Sequence, residues 1–210
     1  MVDDVSARLP IAVLASGSGS NLQALVDACA APDFGATVTV VIADRPEIRA
    51  LYRATAAGIP ARVVPWQDFA NREEFTTAVC DAAAASGAEV LVLAGFMRVL
   101  SGVAMERFPN RILNTHPSLL PSFPGAHAVE DALAHGVKCT GMTIHFVDEQ
   151  VDHGAIVYQE AVAVHPDDTA ASVTARIQAI EHRAYPQVVR ALAAGKLRVE
   201  GRIVSWEGAP

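Results

Sequence analysis

An asparagine and a histidine, Asn114 and His116, carry the strongest chemical signal in the sequence. They follow the short apolar run 111–113, which predicts a buried strand. In an extended segment, side chains two residues apart point to the same face, so this carboxamide and this imidazole can approach one small electrophile. Open α/β sheets bind their ligands at the carboxyl ends of parallel strands, and we expect the chemistry of this chain there.

Asp152 is a candidate partner for His116. It lies in the polar loop 148–154, two residues before Gly154 and between two strand-like segments. Such loops are usually solvated tips, whereas an Asp at the rim of a site can pair with His116 and favour its charged form. The sequence leaves both interpretations open. Ser118 is better explained as a turn hydroxyl than as a nucleophile.

The segment 16–21, Ser-Gly-Ser-Gly-Ser-Asn, is a second candidate site. A predicted strand, 11–15, precedes it, and apolar residues follow at helical spacing. Leu22 stands where a dinucleotide fingerprint has its third glycine, and no lysine follows as in a P-loop. Backbone N–H groups at a helix N-terminus suit one phosphate monoester. An ordinary turn with Ser20 or Asn21 as the helix N-cap is the alternative.

The remaining polar residues give weaker signals. Asp44 follows the second predicted strand, where a ribose-binding acid can stand, but we favour an N-cap for a helix with Pro46 in its first turn. The seven histidines form no tight ligand pair, so no metal site is predicted. His145 lies in a strand-like segment and is expected to be a hydrogen-bonded core residue.

The elements that must position these residues alternate between strand and helix. Strands are predicted at 11–15, 37–43, 62–64, 89–94 and 111–113, and helices from 22, 44–57, 71–86 and 101–107. This alternation predicts an α/β fold, a Rossmann-like open, mostly parallel twisted sheet with helices on both faces. An antiparallel C-terminal portion follows, with a helix at 127–135, strands at 139–147 and 155–164, a long helix at 169–194 and a hairpin at 197–206.

Length and composition predict one globular domain. We expect a disordered leader at 1–9 and a single domain at 10–210, whose phosphate-binding half is 10–108, whose catalytic half is 109–196 and whose terminal hairpin is 197–206. Hydrophobic residues make up 51% of the 210 residues and charged residues 19%. The net charge of −7 argues against nucleic-acid binding. Three scattered cysteines and the lack of a long apolar run predict a cytoplasmic protein that crosses no membrane.

Four segments together resemble the phosphoribosylglycinamide formyltransferases, folate-dependent enzymes of purine biosynthesis. The segments are 16–23, 93–100, 114–121 and the loop that ends in Asp152. The likeness runs in the same order from about residue 10 to about residue 195, so it is more specific than any single motif. The chain departs from the commonest family spelling at Ser18, often Asn, and at His153, often Gly.

The resemblance implies a reaction and a set of site residues. A formyl group would pass from 10-formyltetrahydrofolate to the amine of glycinamide ribonucleotide without a metal, with Asn114, His116 and Asp152 as catalytic residues. The substrate phosphate would lie on Gly19, Ser20 and Asn21, and the ribose hydroxyls on Glu181. The implied folate-binding residues are Arg72, Met97, Arg98, Val99, Leu100, Asn114, Asp148, Glu149, Gln150, Val151 and Asp152.

Other functions remain as alternatives. Methionyl-tRNA formyltransferase would need a C-terminal tRNA-binding domain, and formyltetrahydrofolate hydrolase an N-terminal regulatory domain, for which we expect too few residues at either end. A non-catalytic folate- or nucleotide-binding module would keep its ligand after alanine replaces Asn114, His116 and Asp152. The partners expected are the two small-molecule substrates. The oligomeric state is left open, with a homodimer as one option.

Overall fold

The computed structural model describes residues 8–209. The α-helices in this range are α1 (Ser20–Cys29), α2 (Arg49–Ala56), α3 (Arg72–Ala85), α4 (Gly102–Arg107), α5 (Ala128–His135) and α6 (Ala170–Ala193). The strands are β1 (Leu9–Ala15), β2 (Ala36–Ala43), β3 (Ala61–Val63), β4 (Val90–Leu93), β5 (Ile112–His116), β6 (Cys139–Phe146), β7 (Ile156–Ala163), β8 (Leu197–Glu200) and β9 (Ile203–Trp206).

One nine-stranded sheet joins these strands in the order β3-β2-β1-β4-β5-β6-β7-β9-β8. Strands β1 to β5 pair in parallel, whereas β6 is antiparallel to both β5 and β7. The predicted mostly parallel sheet with an antiparallel C-terminal portion is confirmed. Because the strand order reverses between β1 and β4, a crevice opens at the carboxyl ends of these two strands, where such sheets bind ligands.

Both faces of the sheet are covered by helices. On β1, Ile11 and Val13 belong to one apolar cluster with residues of α1 and α6, and Ala12 and Leu14 belong to the other with residues of α3. All four side chains are 0% exposed. Buried faces on both sides explain why this strand is continuously apolar instead of alternating.

The first strand begins earlier than predicted. Strand β1 starts at Leu9, inside the expected leader 1–9, because the Leu9 N–H donates to the Gly35 carbonyl over 2.8 Å and extends the pairing with β2. Arg8 of that predicted leader is also described, and its guanidinium donates to the Cys29 and Ala31 carbonyls, whereas residues 1–7 lie outside the described residues.

The second helix is shorter than the predicted 44–57. Glu47 has a φ of 59°, which a helix cannot contain, so α2 begins at Arg49 and Pro46 lies before it. The N-cap is Ile48, and no side chain caps it. The prediction of Asp44 as the N-cap is therefore wrong, and the Asp44 carboxylate instead binds the Arg98 guanidinium.

Helix α6 is attached to the sheet beneath the strand ends by Tyr185. This side chain is 0% exposed, and its hydroxyl lies 3.0 Å from the Leu93 carbonyl and 3.0 Å from the Leu113 carbonyl. One hydroxyl proton therefore links α6 to both β4 and β5. Neither α6 nor any other helix in the described range has the length and apolar character that a membrane crossing requires.

We expect Tyr185→Phe to lower the free energy of unfolding by about 1–2 kcal/mol, because the two buried carbonyls lose their shared donor while the packing is kept. Urea denaturation followed by circular dichroism measures the change. Tyr52→Phe is the matched control, since Tyr52 is 66% exposed, and it should leave the stability unchanged. Equal effects of the two variants would contradict the assigned role of the Tyr185 hydroxyl.

Candidate active site

The loop after β1 is shaped by one glycine. Gly19 is the N-cap of α1 with a φ of 68°, and a Cβ there would lie 2.8 Å from both Cα and Cβ of Ala50. Only glycine fits this approach of two helices. Ser20 and Asn21 lie inside the first turn of α1, so the alternative that made either of them the N-cap is wrong.

The first turn of α1 points free N–H groups away from the helix. Among the described residues, the backbone N–H groups of Ser20, Asn21 and Leu22 have no hydrogen-bond acceptor. Hydrogen bonding within the helix begins with Gln23, whose N–H donates to the Gly19 carbonyl over 2.9 Å. Unpaired N–H groups and the positive end of the helix dipole favour an anion at this point.

A buried carboxylate on α6 faces the same turn. Glu181 is 6% exposed, accepts a hydrogen bond from Asn21 Nδ2 over 2.9 Å through Oε2, and accepts another from Thr115 Oγ1 over 2.9 Å through Oε1. The Asn21 side chain is thereby directed at Glu181, whereas its backbone N–H, which has no acceptor among the described residues, remains available to an anion. Each carboxylate oxygen keeps a lone pair for a ligand hydroxyl.

These groups line one cavity of about 360 Å³. That volume is in the range of small-molecule sites. It brings together the predicted substrate-binding residues Gly19, Ser20, Asn21 and Glu181, together with Met97 of the predicted folate set. Gln178, one turn before Glu181 on α6, lines the cavity as well and was missed by the sequence analysis.

The loop after β4 is tied to the loop after β1. The Ser16 N–H donates to the Gly95 carbonyl over 3.0 Å, and Ser16 Oγ accepts from the Met97 N–H over 2.8 Å. Met97 and Val99 are 64% and 44% exposed, whereas Leu100 is 4% exposed. Leu100 therefore has only its backbone to offer a ligand, and the other two present apolar surface.

Arg98 is held by a buried acid. Arg98 Nε lies 2.8 Å from Asp44 Oδ2, and its guanidinium carbon lies 5.5 Å from the centre of the Trp66 ring. Asp44 is 2% exposed, so the pair neutralises a carboxylate that would otherwise be costly to bury. Nothing local in the sequence identifies this partnership, because the two residues follow different strands.

The imidazole of His116 lies between two oxygen acceptors. Its Nε2 is 2.8 Å from the Phe123 carbonyl oxygen and donates to it, and its Nδ1 is 3.4 Å from Asp152 Oδ2. This arrangement suits the imidazolium, which carries N–H on both nitrogens. At 3.4 Å the Nδ1 proton is not committed to Asp152 and remains available to a ligand. The structure thus brings Asp152 to His116.

Asp152 is held in place by a second backbone group. Its Oδ2 accepts from the Gly125 N–H over 2.7 Å, and its own φ is 51°. At the base of the loop, a Cβ on Gly154 would lie 1.8 Å from the Phe146 carbonyl oxygen, so only glycine permits this close turn. These contacts direct the Asp152 carboxylate inwards.

Asn114 is oriented by His145. Strand pairing sets the two residues opposite each other on β5 and β6. His145 Nδ1 donates to the Phe146 carbonyl over 2.8 Å, so Nε2 accepts from Asn114 Nδ2 at 3.2 Å. Burial lowers the pKa of His145 and keeps the ring neutral. The expected hydrogen-bonded core histidine is confirmed, and it also fixes the side chain of Asn114.

The remaining predicted folate-binding residues are spread around the carboxyl edge of the sheet. Asp148 accepts from the Gln150 N–H over 3.0 Å and contacts His153 Nδ1 at 2.7 Å. Glu149, Gln150 and Val151 are exposed at the loop tip. Arg72 is exposed at the first residue of α3, and among residues 8–209 no hydrogen bond joins it to the others.

The strand β5 thus serves two groups of residues. Alternation along the strand puts Thr115 on the cavity side and Asn114 and His116 on the other face. The second face offers amide and imidazolium N–H donors beside a carboxylate, an arrangement that can stabilise an oxyanion and move a proton. Within residues 8–209, no three His, Cys, Asp or Glu side chains are grouped to hold a metal ion.

Comparison with known proteins gives a family match over most of the chain. The family model described as formyl transferase matches residues 9–189. A phosphoribosylglycinamide formyltransferase of Mycobacterium tuberculosis is 44% identical over 197 residues, which are 94% of this chain and 91% of the relative. The crystal structure of a glycinamide ribonucleotide transformylase from Symbiobacterium toebii has a TM-score of 0.93 and 45% identity, covering 96% of this chain and 95% of that chain.

A second group of relatives is much longer. The trifunctional purine biosynthetic protein adenosine-3 of Gallus gallus is 41% identical over 201 residues, which are 95% of this chain and 20% of that protein. The chain therefore spans between 14% and 20% of the length of the relatives of this type.

We expect acidification to destabilise the protein partly through His145. Because the pKa of His145 is lowered in the folded state, the unfolded chain binds more protons below about pH 6.5, and the free energy of unfolding falls as the pH drops through that value. The slope from this residue is at most about 1.4 kcal/mol per pH unit. Urea denaturation between pH 7 and about pH 5 should show a smaller slope for His145→Gln.

The exposed His165 provides the control for this measurement. His165→Gln should keep the slope of the unmodified protein. An identical slope in His145→Gln would contradict the assignment of a neutral, buried His145.

Proposed function

The chain belongs to the formyl transferase family, and we propose that it transfers the formyl group of 10-formyltetrahydrofolate to the amine of N1-(5-phosphoribosyl)glycinamide. The products are the N-formyl compound and tetrahydrofolate, in purine biosynthesis. One observation carries the proposal. His116, on the strand that also presents Asn114, lies 3.4 Å from Asp152, and these residues stand beside a cavity of about 360 Å³ with an anion-binding end. The relatives' names support the choice of substrates.

The substrate is placed by matching its charged and polar groups to the cavity. Its phosphate lies on the backbone N–H groups of Ser20 and Asn21 beyond Gly19, where the helix dipole favours a negative charge. Its ribose hydroxyls donate to Glu181, whose carboxylate is oriented by the hydrogen bonds from Asn21 and Thr115. Its amine then passes Pro117, which lines the cavity next to His116, and reaches the second face of β5.

The folate is placed on the other side of the site. Exposed apolar surface of Met97 and Val99 packs on the pterin, while the backbone of Leu100 and of the loop 148–152 provides its hydrogen bonds. Arg98 is fixed by its ion pair with Asp44, which leaves its remaining guanidinium N–H groups as donors beside the site. Arg72 is proposed for the anionic tail. The folate is a co-substrate, and no metal takes part in the proposal.

The reaction begins when the amine nitrogen attacks the formyl carbon. The carbonyl oxygen becomes an oxyanion, which accepts hydrogen bonds from the free Nδ2–H of Asn114 and from the Nδ1–H of His116. His145 uses the other Nδ2 proton of Asn114 and thereby fixes the direction of the donor. Donors set in advance need little reorganisation as the charge develops.

Collapse of the tetrahedral intermediate requires a proton to move. The attacking nitrogen loses a proton to the Asp152 carboxylate, directly or through water, and the leaving folate nitrogen gains one as its bond to the formyl carbon breaks. The negative charge of Asp152 also stabilises the imidazolium of His116. Every proton taken up is released again, so no external acid or oxidant is needed.

We also propose a reducing compartment, the cytoplasm, for this activity. Cys29, Cys80 and Cys139 are free cysteines, and burial raises the pKa of Cys29 and of Cys80 to about 11, which keeps both as unreactive thiols. A homodimer and the lack of nucleic-acid binding stay predictions.

The direct test is formyl transfer by the purified protein with both substrates, measured by mass spectrometry of the formylated product. We expect turnover that requires the amine, and a loss of about 100-fold or more in kcat for His116→Ala. His165→Ala, which changes an exposed histidine, is the control and should keep full activity. Formate released equally fast without the amine would make the protein a hydrolase, and folate binding without turnover would make it a binding module.

Gly19→Ala should weaken phosphate recognition, because the new Cβ meets Ala50 at 2.8 Å and the φ of 68° is strained for alanine. We expect KM for the phosphoribosyl substrate to rise by about tenfold or more while KM for the folate changes little. Gly58→Ala is the matched control, since Gly58 has the same φ of 68°, a Cβ there meets nothing within 4 Å, and Gly58 does not line the cavity. If both variants raise the KM equally, the phosphate does not lie at Gly19.

A further inference from the structure

We propose that Arg202, in the turn of the C-terminal hairpin, is a positioning residue for the loop 148–154, and that it acts through His153. The inference rests on the proposed function, because the loop matters through Asp152 and through the backbone proposed to bind folate. The hairpin β8–β9 itself lies at the edge of the sheet, outside the cavity and outside the group formed by Asn114, His116 and Asp152.

Three contacts join Arg202 to His153. Arg202 Nη2 donates to the His153 backbone carbonyl over 2.8 Å, and Nη1 lies 3.0 Å from Nε2 and 3.2 Å from Nδ1 of its ring. Asp148 Oδ2 lies 2.7 Å from the same Nδ1. The set fits the tautomer in which Nδ1 donates to Asp148 and Nε2 accepts from Arg202. One arginine therefore binds both the backbone and the side chain of the residue that follows Asp152.

The loop is fixed on its inner side by different groups. Asp152 accepts from the Gly125 N–H and faces His116, and the neighbouring Gly154 abuts the Phe146 carbonyl. Among the described residues, the hydrogen bonds and ion pairs that leave the loop 148–154 go either to this inner side or to Arg202. Arg202 is thus the outer restraint on a segment whose tip, 149–151, is exposed.

The turn that carries Arg202 has a fixed position relative to the loop. Ile203, the next residue, pairs with Ile156, two residues after Gly154, and this pairing joins β9 to β7. The hairpin is closed by four residue pairs between β8 and β9, and Trp206 packs edge-on against Tyr158 with ring centres 6.3 Å apart. A turn supported in this way can hold the loop, whereas a free turn would move with it.

Loss of the outer restraint should affect some kinetic constants and spare others. The loop carries the proposed folate contacts and Asp152, so KM for the folate should rise and kcat should fall. The cavity for the phosphoribosyl substrate is lined by residues of α1, α5 and α6 and by residues at the ends of β1, β4 and β5. None of them lies in the loop 148–154, so KM for that substrate should stay constant. Mere loss of stability would not separate the two KM values in this way.

The experiment compares hydrogen–deuterium exchange and steady-state kinetics for Arg202→Ala, His153→Ala and the control Arg198→Ala. Arg198 is an exposed arginine on β8 of the same hairpin. For Arg202→Ala we expect exchange in the loop 148–154 to rise about fivefold, the scale of one lost hydrogen bond, and KM for the folate to rise by a similar factor. His153→Ala keeps the carbonyl contact and should give a smaller change. Arg198→Ala should match the unmodified protein.

The two kinds of readout separate the two proposals. If the unmodified protein transfers no formyl group, the proposed function fails, while faster exchange confined to the loop still supports the restraint by Arg202. Unchanged exchange in Arg202→Ala would overturn the restraint whatever the activity. Exchange that rises over the whole sheet, together with a lower Tm, would overturn it as well, because it would mark a general loss of stability.

Discussion

The buried carboxylate of Glu181 determines how the parts of the site stand relative to one another. A charge 6% exposed is costly to bury unless it is fully hydrogen-bonded, and its two donors, Asn21 and Thr115, come from α1 and β5. One ionised group on α6 thereby fixes the first turn of a helix and the end of a strand. The donors for a phosphate and the strand that carries Asn114 and His116 cannot move independently of it.

A single strand therefore serves both halves of the site. Thr115 faces the helix α6, and Asn114 and His116 point to the opposite face of the sheet, where His145 of β6 binds the Asn114 side chain. His145 is useful because it is neutral: burial lowers its pKa, so its Nε2 remains an acceptor that holds the Asn114 amide. Were this ring charged, it would donate from both nitrogens and turn the amide around.

The sequence predicted those parts of the molecule that depend on local patterns. Periodicity and turn residues predict the strand before Asn114, the glycine loop, the alternation of strands and helices in the first half of the chain and the terminal hairpin. What it missed depends on pairs that are distant along the chain. The role of Asp44 was misjudged because its partner, Arg98, follows another strand, and the contact of His145 with Asn114 depends on a register that only the paired strands define. The contact of Asp152 with His116 was left open for the same reason.

The close approach at Gly19 also limits how this protein can change during evolution. A side chain at position 19 and the existing methyl group of Ala50 would occupy the same space, and the left-handed backbone adds a separate penalty that no change at position 50 removes. Ala50 can be exchanged only for a residue as small. Two successive helices of the chain thus share one constraint, and substitutions tolerated elsewhere on α1 and α2 should be selected against at these two positions.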